Sequence, residues 1–220
     1  LRASRSFPFV SKVLRADLID LAVACMLGEA PPPLEKSAFE LDFVGVKAPQ
    51  FSFSRLKGAA PLLGVEMAST GEVACLGDTV GEAYLKAMLA VGFRIPREGV
   101  LLSTGTIAGK VAFLDAARAL AALGLPLYAT RGTREFLATN GVAADLLHWP
   151  LERARPNAVD FIRSGAVDLV INVPKNLEGD ELSNDYLIRR AAVDAEVSLF
   201  TNIQAAVLFV EAIAALRTDR

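Results

Sequence analysis

VLLSTGTIAGKVAFLDAARALAALGLPLYATRGT, residues 100 to 133, contains two short apolar runs separated by a helical pattern. The runs at 100–103 and 126–130 are typical of buried strands. Between them, apolar side chains recur at helical spacing, and Gly124 follows the last of them, as is usual where a helix ends. This stretch therefore predicts a strand, a helix with one buried face, and a second strand.

The same alternation continues to the C terminus. Gly141 and Gly165 directly follow two more helical patterns. Short apolar strands separated by helices imply a parallel sheet covered on both faces. We therefore expect a doubly wound α/β domain at residues 97–220, with a boundary near Pro96. Its further strands are predicted at 143–147, 167–173 and 197–202, and its further helices at 133–140, 158–164, 184–195 and 203–216.

A different pattern precedes this boundary. Residues 18–26 form an apolar helical pattern that ends at Gly28 and the three prolines after it. Residues 39–76 have the appearance of short strands and turns, and a further helix is predicted at 80–90. We therefore treat residues 1–96 as a separate unit.

Composition and charge limit the kinds of partner. Hydrophobic residues make up 53% of the 220 residues and charged residues 22%, and the apolar runs are too short to span a bilayer. The chain has 23 Lys and Arg against 25 Asp and Glu, so its net charge of -2 provides no basic field for nucleic acid. We expect neither membrane nor nucleic acid as a partner, a cytoplasmic location with an organellar one left open, and any anion site to be local.

The cysteine and histidine content argues against several kinds of site. Cys25 and Cys75 are far apart and form no CxxC pair, which disfavours a disulfide framework or a zinc site. We expect both thiols to be buried in a reducing compartment. His148 is the single histidine, and we expect it to pack rather than to catalyse.

Polar residues occur where the predicted strands end. In an open parallel sheet, ligands bind beyond the carboxyl ends of the strands, where helix N-termini also lie. Hydroxyl, amide and cationic groups gathered there can hold a phosphate or carboxylate, and no close acid–base pair or activated nucleophile accompanies them. These polar groups at the strand ends therefore predict binding rather than catalysis. They belong to segments 103–106 with Lys110, 130–133, 148–150, 172–176 and 201–202.

Each of these residues also has a purely structural interpretation. Thr133 could cap the helix that follows it, alone or while also binding a ligand. Asn172 could fix a turn after its strand. Trp149 could be a core aromatic, and Lys110 could be an ordinary solvated lysine.

The N-terminal sequence indicates a longer protein. The chain begins at Leu1, without Met or a signal-peptide pattern, inside a dense polar segment, and we expect it to be a fragment. LRASRSFPFVSK (1–12) closely resembles the segment that ends the second ATP-grasp unit of carbamoyl-phosphate synthase large subunits. VKAPQFSFSRL (46–56) and LLGVEMASTGEVACLGDT (62–79) resemble the stretch just downstream of it.

The C-terminal half is similar to another part of the same family. VLLSTGTIAGK, LYATRGT, HWP, LVINVPKN and YLIRRAAVD are similar to the methylglyoxal-synthase-like domain that closes the large subunit. The resemblance thus covers essentially the whole chain, in the right order. It implies the tail of an ATP-grasp (α+β) unit at 1–96 and an allosteric α/β domain at 97–220.

The resemblance also implies an activity for the complete protein. It is that of an ATP-dependent ligase that makes carbamoyl phosphate from bicarbonate and ammonia or glutamine, with Mg or Mn, for pyrimidine and arginine synthesis. The family's metal-binding Glu and Asn come just before residue 1, so only Arg2 and Arg5 carry over as catalytic residues, where guanidinium groups suit phosphoryl oxygens. We expect the fragment alone to be inactive and to bind no cofactor. The implied partners are the rest of the large subunit and a glutaminase subunit or domain.

For the closing domain, the resemblance implies a set of contacts with a small anionic effector of the UMP, IMP or N-acetylglutamate class. Trp149 departs from the lysine common in uridine-nucleotide-binding branches, and Lys175 departs from the amide of the N-acetylglutamate-activated branch. The identity of the effector and the sign of its effect therefore stay open. The implied contact residues are Lys110, Thr130, Thr133, Trp149, Asn172, Lys175 and Asp185.

Three other functions are possible for such a chain. A methylglyoxal synthase would need a catalytic Asp and His in GGDQ-like and PHDPD-like contexts, which this sequence lacks. A dinucleotide-binding domain would need GxGxxG after the first strand, and STGTIAGK lacks that spacing. A free-standing phosphate-ligand-binding regulatory protein remains the alternative.

Overall fold

A computed structural model describes residues 6–31, 33–34, 37–53, 57–59, 61, 71–173 and 179–218. Strands and helices alternate strictly from residue 100 onward, as the sequence predicted. The strands are β1 Val44–Gln50, β2 Gly71–Gly77, β3 Val100–Ser103, β4 Leu127–Ala129, β5 Asp145–Leu146, β6 Leu169–Asn172 and β7 Ser198–Phe200. The helices are α1 Ser6–Leu14, α2 Leu18–Met26, α3 Val80–Ala90, α4 Ile107–Ala122, α5 Arg131–Thr139, α6 Ala158–Arg163, α7 Gly179–Asp194 and α8 Ile203–Thr218, with a 3-10 turn at Ala38–Glu40.

The C-terminal strands form one parallel sheet in the order β5-β4-β3-β6-β7. Successive residues of β3 are fully buried on opposite faces: Leu102 packs in a cluster with α4 and α8, and Leu101 packs in a cluster with α6 and α7. Because both faces are covered, the strands are apolar throughout rather than alternating. The predicted doubly wound fold class is confirmed.

Several predicted helix ends are confirmed, but α4, α5 and α7 begin before their predicted starts at 111, 133 and 184. Gly124, Gly141 and Gly165 have φ of 77°, 75° and 76° after α4, α5 and α6, the left-handed region in which glycine costs least. Helix α4 begins at Ile107 rather than near Val111. The Thr106 hydroxyl accepts a hydrogen bond from Gly109 N at 3.1 Å, and this cap starts the helix before its apolar pattern begins.

The N-terminal part contains two helices and an antiparallel strand pair. Helix α1 was not predicted, because the sequence of residues 1–13 mixes basic and aromatic side chains. Helix α2 was predicted with its correct bounds, and β1 pairs with β2 from Val44–Gly77 to Gln50–Gly71. Part of the predicted strand-and-turn region, including 54–56 and 62–70, lies outside the described residues.

Helix α3 connects the two parts of the chain. It packs against β1 and β2 on one side and against α8 on the other. Its Leu85 and Met88 belong to the apolar cluster that also contains Val100 and Phe209. The division near Pro96 stays a prediction, but the core of the C-terminal domain already includes side chains that precede it.

The two cysteines are free. Cys25 is exposed on α2 and Cys75 is half-buried in β2. The expectation that both thiols are buried is therefore wrong for Cys25, because no residue of α2 is buried in the described part of the chain.

The contact between α3 and α8 predicts a dependence of stability on alkaline pH. The Tyr84 hydroxyl donates to the carbonyl of Ala205 at 2.9 Å, and burial raises the pKa of Tyr84 to about 12. In the unfolded chain this pKa is about 10, so between these values the unfolded state loses the proton and the folded state keeps it. The stabilisation is complete below the lower pKa and is lost as pH rises through the higher one.

We therefore expect the free energy of unfolding to fall from about pH 10 to about pH 12, and to fall less steeply in Tyr84→Phe. Urea unfolding at a series of alkaline pH values measures both slopes. Equal slopes in the two proteins would contradict the assignment.

Candidate anion-binding site

The strand order creates a crevice at the carboxyl edge of the sheet. Strand β3 lies between β4 and β6, so the chain leaves the sheet centre in opposite directions there, and ligands of such sheets bind at this switch point. A cavity of about 340 Å³ lies at this place. Its lining residues are Ser103, Gly105, Lys110, Thr130, Arg131, Gly132, Thr133, Trp149, Glu152, Val173 and Asp185.

One end of the cavity favours negative charge. It is formed by Lys110 from α4 and by the first turn of α5. The Lys110 ammonium lies close to this turn, since a Cβ built on Gly132 would be 3.3 Å from Nζ. The first N–H groups of a helix lack intrahelical acceptors and carry partial positive charge. Ammonium and helix start together suit a phosphate or carboxylate.

The two threonines of this end are held by neighbouring residues. Thr130, not Thr133, is the N-cap of α5, and its side chain makes no capping bond. Instead, the Thr130 hydroxyl donates to the Ser103 hydroxyl at 3.4 Å. The Thr133 hydroxyl accepts from Thr104 N at 3.3 Å. The interpretation of Thr133 as an N-cap is therefore wrong, because the helix begins two residues earlier than its apolar pattern indicates.

Two carboxylates also line the cavity. Glu152 follows β5, and its carboxylate lies 2.9 Å from Nδ1 of His148. Asp185, from α7, is 1% exposed. Trp149 is half-buried, and it packs against the α6–α7 cluster while also lining the cavity. It is thus not a fully buried core aromatic, and its contact with an effector stays a prediction.

A buried network fixes the position of Asp185. The Asn172 amide donates to the Asp185 carboxylate at 2.7 Å, and Nη1 of Arg189 donates to the Asn172 carbonyl oxygen at 2.8 Å. Burial lowers the pKa of Arg189, and the nearby Asp185 partly opposes this. The Nε of Arg189 has no hydrogen-bond partner among the described residues. Asn172 is thus neither a simple turn residue nor a lining residue, since its amide joins a carboxylate to a guanidinium below the cavity.

The structure brings most of the predicted contact residues together. Five of them line the one cavity, and Asn172 lies directly behind Asp185. Arg2, Arg5 and Lys175 lie outside the described residues. The five are Lys110, Thr130, Thr133, Trp149 and Asp185.

Sequence reasoning missed two residues of this region. Glu152 is four residues after His148, and this spacing alone does not distinguish it from a solvated acid. Arg189 is four residues after Asp185 on the same helix, a spacing that puts opposite charges on one helix face and could have found the pair.

The lining of the cavity carries both signs of charge, with Lys110 and Arg131 beside Glu152 and Asp185. The expectation of no close acid–base pair near the strand ends is wrong, because His148 and the lining residue Glu152 lie 2.9 Å apart. Within the described ranges, no three His, Cys, Asp or Glu side chains gather as a metal site requires. None of the described helices combines the length and apolar character of a bilayer-spanning segment.

Comparison with known proteins agrees with this fold. Residues 112–201 match the family described as MGS-like domain. The chain is 44% identical over 227 residues to the mitochondrial carbamoyl-phosphate synthase (ammonia) of Rattus norvegicus, covering 99% of the chain and 15% of that protein. It is 44% identical to the human synthase over 97% of the chain, and 45% identical to the multifunctional protein CAD of Squalus acanthias over 97% of the chain.

The chain spans only 15% of the length of these synthases and 10% of the CAD protein. Within that share the similarity runs almost from end to end and includes residues outside 112–201. The chain therefore contains an MGS-like domain and belongs, over nearly its whole length, to the family of the C-terminal region of carbamoyl-phosphate synthases and CAD proteins.

Proposed function

We propose that this chain is the C-terminal part of a carbamoyl-phosphate synthase large subunit, and that its cavity binds a small anionic allosteric effector. The complete protein would be an ATP-dependent ligase that makes carbamoyl phosphate from bicarbonate and ammonia or glutamine. The observation that carries the proposal is the meeting of Lys110, Thr130 and Thr133 around the start of α5, at the switch point of the sheet.

The similarity beyond the MGS-like match favours this function over a stand-alone regulatory protein. The match to the MGS-like family covers only residues 112–201, whereas the similarity to the synthase of Rattus norvegicus covers 99% of the chain. A free-standing effector-binding protein would have no need of the preceding segment. We accordingly propose the division into an ATP-grasp tail at 1–96 and an effector-binding domain at 97–220.

Helix α2 supports a larger protein. It has the sequence LIDLAVACM with Asp20 as its charged side chain, yet none of its residues is buried in the described structure. Met26 is 59% exposed and Val23 is 45% exposed. A helix that is apolar on all sides is normally buried, and the rest of the proposed large subunit would cover it.

The remaining functional assignments depend on that larger protein. We propose that Arg2 and Arg5 contact phosphoryl oxygens in the ATP-grasp site, with ATP and Mg or Mn bound by the complete enzyme. A glutaminase subunit or domain would supply nitrogen if the donor is glutamine. The products would serve pyrimidine and arginine synthesis, and we propose a cytoplasmic location, although two of the similar synthases are named mitochondrial.

Calorimetric titration of the whole chain tests effector binding. We expect one of UMP, IMP and N-acetylglutamate to bind, and Lys110→Met to weaken that binding about 10-fold to 100-fold, because a charge-assisted hydrogen bond to the anion is lost. Thr133→Ala should weaken it less, and Thr133→Ser should restore it.

The matched control is Lys86→Met. Lys86 forms an ion pair with Glu82 on the exposed side of α3, outside the cavity, so its replacement should leave the dissociation constant unchanged. Binding that is equal in wild type and Lys110→Met, or no binding of any of the three compounds, would contradict the proposed function.

A further inference from the structure

Helix α7 carries side chains toward two different places. Asp185 lines the cavity, and the next residue, Tyr186, contacts the N-terminal part of the chain. One turn later, Arg189 belongs to the buried network and Arg190 contacts the N-terminal part again. Two adjacent faces of one helix therefore contact the cavity and the backbone of Phe53, Gly58 and Ala59.

The contacts with the N-terminal part are made to backbone carbonyls. The Tyr186 hydroxyl donates to the carbonyl of Gly58 at 3.0 Å. Nη1 of Arg190 donates to the carbonyls of Phe53 and Ala59, each at 3.3 Å. These bonds join residues more than 120 positions apart in the sequence.

Asp194 holds the Arg190 guanidinium beside the carbonyls of Phe53 and Ala59. The residue is 8% exposed, and its Nε donates to the Asp194 carboxylate at 2.9 Å, one turn further along α7. This hydrogen bond raises the pKa of Arg190, and the guanidinium lowers the pKa of Asp194 in return. A guanidinium held at one edge keeps its other donors aimed at fixed acceptors.

We infer that α7 couples the cavity to the N-terminal segment that contains Phe53, Gly58 and Ala59, so that the position of Asp185 and the attachment of these three residues to α7 depend on each other. The inference rests on the proposed function for its regulatory meaning, although the coupling itself needs no ligand. A helix is stiff along its axis, so a displacement at Asp185 moves Tyr186 and Arg190 with it. A ligand that prefers one position of α7 would thereby favour one arrangement of the N-terminal segment.

Cleavage after Lys57 reports the attachment of the segment. Lys57 is exposed and immediately precedes Gly58 and Ala59, whose carbonyls α7 holds. A lysine-specific protease must pull this stretch into its active site, so cleavage requires local release. Arg190→Met should raise the cleavage rate after Lys57 about 10-fold, because two charge-assisted hydrogen bonds are lost.

The control variant is Arg118→Met. Arg118 is also a helical arginine with an acidic partner, Asp115, and a backbone acceptor, the carbonyl of Asn140, but it lies on α4. Cleavage after Lys86, in α3, serves as the internal reference for general opening of the fold. An unchanged rate after Lys57 in Arg190→Met, relative to Lys86, would overturn the inference.

A double-mutant cycle tests the coupling from the cavity side. Asp185→Ala removes the acceptor of the Asn172 amide and should also raise cleavage after Lys57. In the Arg190→Met background, Asp185→Ala should raise the cleavage rate after Lys57 by a clearly smaller factor, because the segment is already released. The coupling would be refuted if Asp185→Ala left the cleavage rate after Lys57 unchanged. It would also be refuted if the effects of Asp185→Ala and Arg190→Met on that rate were fully additive in free energy.

A ligand adds a comparison that separates the two proposals. UMP, IMP and N-acetylglutamate are the probes, and whichever binds should slow cleavage after Lys57 in the wild type but not in Arg190→Met. If none of the three binds while the cycle shows coupling, the proposed function fails and the inference stands. Slowing of equal size in both proteins would overturn the inference and leave effector binding intact.

Discussion

Replacement of Arg189 by methionine should lower the free energy of unfolding by about 3 kcal/mol, because it breaks a buried charge network from one side. Arg189 is 2% exposed, and its Nη1 donates to the carbonyl oxygen of Asn172. Without the guanidinium, that oxygen loses its donor, and the buried carboxylate of Asp185 loses its nearby cation. Urea denaturation followed by circular dichroism measures the change.

A second substitution identifies the cause of this loss. If the uncompensated carboxylate is responsible, Asp185→Asn introduced into Arg189→Met should restore part of the stability, since an amide can still accept from Asn172. The exposed Arg118→Met should change stability by less than about 0.5 kcal/mol. A double variant that is no more stable than Arg189→Met would assign the loss to packing of the side chain instead.

Phe209→Ala should lower the free energy of unfolding by about 3 to 5 kcal/mol, the usual cost of emptying a buried aromatic position. Phe209 is fully buried on α8, with ring centroids 5.1 Å from Phe200 and 6.2 Å from Phe93. Phe93 precedes the predicted domain boundary, whereas the other two follow it. The same cluster contains Leu85 and Met88 of α3.

The exposed Phe39 provides the control for this substitution. Phe39 is 100% exposed, so Phe39→Ala should leave the unfolding midpoint unchanged. Phe93→Ala should destabilise the chain in the same cooperative transition as Phe209→Ala if the residues before 96 share the core. A loss of unfolding free energy below about 1 kcal/mol for Phe209→Ala would mean that the apolar cluster closes over the space left by the ring.

These predictions also bear on the cavity. Arg189 is linked through Asn172 to the lining residue Asp185, and α8 packs on the same face of the sheet as α4, which carries Lys110. Destabilisation by Phe209→Ala should affect the fold as a whole. Destabilisation by Arg189→Met should in addition alter ligand binding, because Asp185 is released from its fixed position.

The sequence was sufficient for the fold class and for much of the site. Strictly alternating apolar runs and glycine-terminated helices predict a parallel sheet with helices on both faces, because each pattern depends only on local spacing and burial. The carboxyl ends of parallel strands necessarily meet at one edge. Lys110, Thr130, Thr133 and Trp149 could therefore be assigned to one edge of the sheet from the sequence. Asp185 does not follow a predicted strand, and only the family resemblance implied its place among them.

The helix starts were less predictable for a local reason. Thr106 and Thr130 begin α4 and α5 before the apolar pattern of each helix becomes visible. A single hydroxyl cap or an N-cap backbone conformation starts a helix without changing its hydrophobic periodicity, which is the signal used to locate it.

By itself, the sequence determined the fold class, the order of the elements and the edge of the sheet where polar groups gather, because these follow from short-range patterns. Only the tertiary structure decided which partner each polar group has. It showed that Asn172 joins Asp185 to Arg189, that α3 shares the core of the C-terminal sheet, and that Tyr186 and Arg190 hold carbonyls near residue 58. Such contacts join residues far apart in the chain, and their formation depends on how whole helices pack, which local spacing does not encode.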